Sequence, residues 1–81
     1  MPTNSPAERV AGDVRAAMRR RHVTQAALAA ALSLSQAAVS RRLSGSVDFT
    51  VTELHIAATL LDVDVAELIG ADRPLTTAAA G

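Results

Sequence analysis

TQAALAAALSLSQAAVSRRLSG, residues 24–45, is the stretch on which the fold turns. Leu28, Ala29 and Leu32 share one side of a short helix that opens at Thr24-Gln25. Val39 and Leu43 share one side of a second, which opens after Ser35. Residues three and four apart stack on one face when a helix turns every 3.6 residues or so, so each segment buries one side and presents the other. Thr24 and Ser35 are cap residues, whose hydroxyls satisfy amides left over at a helix start. Only Ser33-Leu34 separates the segments, so the two helices must turn sharply against each other. Gly45 stands where a left-handed stop ends the second.

The same reading extends outward. Ser5-Pro6-Ala7-Glu8 combines a cap, a proline at the first helical position and a glutamate at the third. The helix it opens runs to about Arg21, with Val10, Val14, Ala17 and Met18 as its apolar stripe. After the second helix of that pair, residues 46–49 form a loop in which Phe49 is expected to plug the core. Thr50-Val51-Thr52-Glu53 is a second capping box, opening a helix that turns Leu54, Ala57, Ala58 and Leu61 inward. Asp64-Val65-Ala66-Glu67 predicts a third box and a short last helix with Leu68, stopped by Gly70. The expectation is one all-α, five-helix domain over residues 5–70, with a flexible N-terminus at 1–4 and a flexible tail at 71–81.

Composition narrows the function. Eighty-one residues allow one small core, and with one Phe and no Trp or Tyr it must be built of Leu, Val and Ala. No apolar run approaches the roughly 20 residues of a membrane span, and no secretory signal opens the chain. With no cysteine, disulfides and thiol–zinc sites are excluded. His22 and His55 have no ligand partner at metal-binding spacing, so no metal and no cofactor is expected. No nucleophile–base–acid set or phosphate-cradling glycine loop is present, which argues against an enzyme. The expected location is the cytoplasm.

Net charge is zero, but its distribution is not even. From Arg9 to Arg42 seven arginines face only Asp13, while from Leu43 to Arg73 six acids face only Arg73. A basic half that carries the helix pair and an acidic half behind it is the polarity of a DNA reader. A helix–turn–helix pair of this size places its second helix in the major groove.

Stepping about 100° per residue from Val39 puts Ala37, Arg41 and Ser44 on the far side of that helix, with Ser40 beside them and Gln36 at its leading end. Gln36, Ala37, Ser40 and Arg41 are thus the candidate base contacts. Gln36 suits adenine, Arg41 guanine and Ala37 a thymine methyl, and a bidentate pair is worth about 1–3 kcal/mol of discrimination. Helix ends supply the candidate phosphate contacts: Arg20 and Arg21, Thr24 and Gln25 at a helix start, Ser35, Ser44 and Arg42. Arg42 lies about 60° from Val39, on the edge of the core, where it meets either a phosphate or an acid.

These residues, from VRAAMRRRHVTQAALAAALSLSQAAVSRRLSG to FTVTELHIAATLLDVDVAEL, resemble the lambda-repressor-like (Xre, Cro and phage-repressor) helix–turn–helix family over about Val14 to Leu68. The resemblance implies a five-helix DNA-binding domain, usually a homodimer on a two-fold operator, in a bacterial or phage transcriptional regulator. It carries Gln25 over as a phosphate contact and Gln36, Ala37, Ser40 and Arg41 as base-facing positions. Three positions depart from it. Ser33 and Asp62 stand where glycine is common, and Arg42-Leu43 replace an apolar residue followed by Glu, which removes a frequent internal ion pair.

Ile56 and Leu60 lie off the inward face of their helix and form a candidate dimer or partner interface, with Ile69 or Leu75 beside them, the alternative being that the last helix or the tail folds back over them. The leading expectation is a repressor of double-stranded DNA that acts by occluding a promoter, since so short a chain leaves no room for an effector domain. The alternative is a protein-interaction module, antitoxin-like or a recombination accessory factor, with DNA binding weak or secondary.

Overall fold

The structure, a computed structural model, describes residues 5–70. Five helices follow one another: α1 (Pro6–Arg21), α2 (Gln25–Leu32), α3 (Gln36–Leu43), α4 (Val51–Leu61) and α5 (Val65–Leu68). No strand occurs among the described residues. The segments expected to be flexible, 1–4 and 71–81, lie outside them.

Side-chain caps set the starts. Ser5 Oγ accepts the Glu8 amide while the Glu8 carboxylate accepts that of Ser5. Thr50 and Glu53 make the same reciprocal pair at α4. Thr24 and Ser35 each accept the amide three residues on, from Ala27 and Ala38. At α5 the expected box does not close: Asp64 Oδ1 accepts from Ala66 rather than Glu67, whose carboxylate lies 3.7 Å from Arg20. A cap on the second amide leaves the Glu67 side chain free to turn toward α1.

Three of the helices end on a non-glycine residue in the left-handed region, His22, Ser33 and Asp62, each at φ 57°. Ser33 therefore takes the conformation that glycine commonly supplies in this turn, as does Asp62 after α4. Gly45, at φ +86°, answers a second demand as well. A Cβ there would stand 2.7 Å from Glu8 Cγ and 3.0 Å from Glu8 Cα, so the loop after α3 passes directly against the first turn of α1.

One core joins the five helices. Val14, Ala17 and Met18 of α1, Leu28, Ala29 and Leu32 of α2, and Val39 and Leu43 of α3 pack with Leu54, Ala57, Ala58 and Leu61 of α4 and Leu68 of α5. Fully burying each leucine is worth about 1.5–3 kcal/mol, and the alanines let the short helices approach closely. Two details differ from the sequence expectation. Ala11 is fully buried where Val10 is only half-buried, and Phe49 packs against the core's edge rather than inside it. A small core accommodates alanine more readily than a ring.

Candidate nucleic-acid interface

α3 is held from one side and bare on the other. Val39 is fully buried and Leu43 nearly so. Gln36, Ala37, Ser40, Arg41 and Ser44 are exposed together on the opposite side. Among the described residues the side chains of Gln36 and Arg41 make no hydrogen bond or ion pair. Gln25, exposed at the first turn of α2, is equally unengaged.

Both starts present open amides. Thr24 takes the Ala27 amide and the backbone carbonyl of Thr24 takes that of Leu28, which leaves Gln25 and Ala26 unsatisfied at the α2 terminus. The same arrangement around Ser35, with Ala38 and Val39 taken, frees the amides of Gln36 and Ala37. Amides of this kind at the positive end of a helix suit an anion. The Thr24 and Ser35 hydroxyls accept an amide but keep their own protons, so each can still donate to a phosphate oxygen.

Beside the α2 terminus lies an open cleft of about 610 Å³ between α1 and α3. Its rim carries Arg15, Arg19, Thr24 and Gln25, and its floor Met18, Val23 and Leu43. Arg15 Nη1 donates to the Leu43 carbonyl, tying α1 to the last turn of α3. Arg19 has no partner among the described residues. The cationic side chains beside Gln25 are therefore Arg15 and Arg19. In the sequence these two read only as members of a charge run. Their spacing of four residues, one face of α1, is the signal that sets them apart.

Arg20 and Arg21, expected on phosphates, point elsewhere. Arg20 Nη2 lies 3.7 Å from Glu67. Arg21 Nη2 lies 3.6 Å from the Asp62 carboxylate and donates to the Asp62 carbonyl at 2.9 Å. They are one and two residues past Arg19, which turns them about 100° and 200° around α1 and toward the α4–α5 turn.

Arg42, placed at the edge of the core between a phosphate and an acid, is paired with an acid. Its Nε donates to Glu53 Oε1 at 2.9 Å and its Nη1 to the Ala38 carbonyl at 3.2 Å. The two side chains retain only 16% and 14% of their exposure, so this is an internal ion pair. An internal pair is thus present after all, between other positions than those where the resemblance would place one. Burial alone pushes the Glu53 carboxyl up; hydrogen bonds from Arg42 and Thr50, with the Arg42 charge, outweigh it and hold the group below its ordinary value. Ser44 is exposed, but its hydroxyl donates to the Arg41 carbonyl at 2.9 Å, so the proton a phosphate would take is already committed.

Ile56 and Leu60 stand on the outer ridge of α4, 38% and 37% exposed, and Ile69 is 48% exposed after α5. Leu75 lies outside the described residues. No helix among those residues is long and apolar enough to cross a membrane. In comparison with known proteins, a helix-turn-helix family model matches residues 14–68. No curated protein and no solved structure matches the chain.

Proposed function

The chain belongs to the lambda-repressor-like helix-turn-helix family, a DNA-binding family of regulators, and from that premise we propose that it is a sequence-specific transcriptional repressor reading the major groove with α3. One observation carries the reading: the side chains of Gln36, Ser40 and Arg41 are exposed and unbonded on the outer side of α3, which adjoins two helix starts with open amides. Gln36, Ala37, Ser40 and Arg41 face the bases. Gln25, Thr24 and Ser35 receive phosphates, with Arg19 and Arg15 as the cations beside them. Steric occupancy of a promoter is the regulation that needs nothing further. The protein then works in the cytoplasm, on DNA.

A homodimer on a two-fold operator completes this reading, and the Ile56–Leu60 ridge is its interface. That ridge also favours a second reading, in which it docks a different protein and DNA binding is secondary. Ile56→Glu with Leu60→Glu separates the possibilities. A wild-type dimer that becomes monomeric supports the interface. A dimer unchanged in size refutes it. Loss of a co-purifying partner from a monomer favours the second reading.

Selection from a random pool of DNA duplexes tests the function itself. Wild type is expected to enrich a motif with two half-sites, and the Gln36→Ala, Arg41→Ala variant to lose it. Salt-sensitive binding with no enriched motif overturns the proposal.

A further inference from the structure

Arg42 is the one arginine of α3 that turns away from the exposed ridge, and its bonds reach both ends of a mechanical link. Its Nη1 holds the carbonyl of Ala38, one turn into α3. Its Nε holds Glu53 Oε1. That same oxygen accepts the amide of Thr50, the cap residue of α4, and the Glu53 amide is in turn held by Thr50 Oγ1. The guanidinium thus spans from the backbone of α3 to the capped start of α4, inside a contact that is largely closed to water. A planar, forked donor suits this role, since it fixes direction as well as distance.

Elsewhere α3 is restrained across the fold by the Arg15 bond to its Leu43 carbonyl, at the last turn. It is eight residues long, and its buried anchors are Val39 and Leu43. Apolar packing of that kind is non-directional and leaves a helix some freedom to roll about its own axis. The Arg42 bridge is lateral to those anchors, on the edge of the core, and opposes such a roll. Base readout is sensitive to it, because the bidentate pairs of Gln36 and Arg41 demand angular precision at the groove floor.

We propose that Arg42 and Glu53 form a positioning pair for the reader helix, setting the rotation of α3 and therefore the sequence discrimination, without contacting DNA. This rests on the reading of α3 as the base-contacting helix. It makes Arg42 a cation that contributes to specificity and not to the counterion-release part of affinity.

The experiment compares wild type, Arg42→Lys and the double variant Arg42→Met, Glu53→Gln by DNA binding across a salt series. Probes are the selected motif and single mismatches at the base pairs that the Gln36→Ala and Arg41→Ala variants no longer distinguish. The double variant removes both charges together, leaves no unpaired buried ion, and keeps a side-chain oxygen to cap Thr50. It is expected to fold, to keep the wild-type slope of log affinity against log salt, and to lose discrimination by about tenfold, the equivalent of about one bidentate pair. Arg42→Lys restores the charge without the fork and is expected to recover part of that loss.

Unchanged discrimination in the folded double variant overturns the proposal, since the pair would then be structural alone. A salt slope shallower by about 0.9 per protomer also overturns it, because Arg42 would then be a phosphate contact. If wild type selects no motif at all, the base-reading proposal fails first. A wild type that discriminates beside a double variant that does so equally well leaves that proposal standing and removes this one.

Discussion

The α2–α3 side and the α4–α5 side of this domain use the same residue type in opposite ways. Arg19 and Arg41, on the first, have no partner among the described residues. Arg20, Arg21 and Arg42 face Glu67, Asp62 and Glu53 from the second. Arg41 and Arg42 are neighbours in the chain and differ only by the 100° or so that separates adjacent residues on a helix. The acidic half is therefore not a passive counterweight to a basic half. It engages Arg20, Arg21 and Arg42 and leaves Arg19 and Arg41 on the other side, so net charge zero and a cationic face coexist.

The comparison breaks most visibly at α3. Replacing Gln36 and Arg41 by alanine is expected to remove about 2–6 kcal/mol of discrimination for the selected motif, two bidentate pairs' worth, while thermal stability stays within about 0.5 kcal/mol of wild type. Competition binding and thermal melting read the two quantities separately. A large fall in stability would mean that these side chains are engaged within the fold.

Glu53→Ala tests the other side. It opens the ion pair and half of the α4 capping box, and should cost about 2–3 kcal/mol of stability by urea unfolding. The pH dependence has a definite sign. The Glu53 pKa is lowered on folding, so its stabilisation is fully present above the ordinary value of 4.5 and is lost as pH falls through the folded value. The Glu53→Ala variant should lose less stability between neutral pH and the acid limb than wild type does; equal losses would show that other carboxylates govern the acid limb.

Smaller effects sharpen the boundary between the sides. Arg19→Ala should weaken DNA binding and flatten the salt slope by about 0.9 per protomer. Arg20→Ala should leave the slope unchanged and alter stability by no more than about 0.5 kcal/mol, since exposed ion pairs contribute little. If Arg20→Ala flattens the slope as much as Arg19→Ala, the assignment of α1 arginines to the two sides is wrong.

What can be read in the chain follows from which interactions are local. Caps act over three residues, so Ser5, Thr24, Ser35 and Thr50 mark the helix starts in the sequence itself. Spacing of three and four recovers the buried faces of α2, α3 and α4. The exposure of Ala37 and Arg41 follows from the same geometry, about 160° from Val39, with Ser40 beside them and Gln36 exposed as a first-turn residue. The fate of the arginines does not. Arg21 meets Asp62 across 41 residues and Arg42 meets Glu53 across 11, distances at which pairing depends on how helices dock. Angle alone puts Arg42 on the edge of the core, and only the position of α4 decides between phosphate and acid. Asp64 illustrates the limit of a local rule, since its sequence offers a box, but its carboxylate caps the Ala66 amide and Glu67 lies toward Arg20 of α1.

The left-handed residues His22, Ser33 and Asp62 bear on how much thermal headroom the chain retains. Each holds a conformation that costs an L-residue about 1–2 kcal/mol and costs glycine nothing. Glycine at any of the three relieves that strain and gives back part of the gain through a freer unfolded chain. A net benefit of about 0.5 kcal/mol per site would raise the melting temperature by about 2–4 °C in a domain of this size. Each of the three ends a different helix, which makes the helix ends a place where this protein can be hardened against heat.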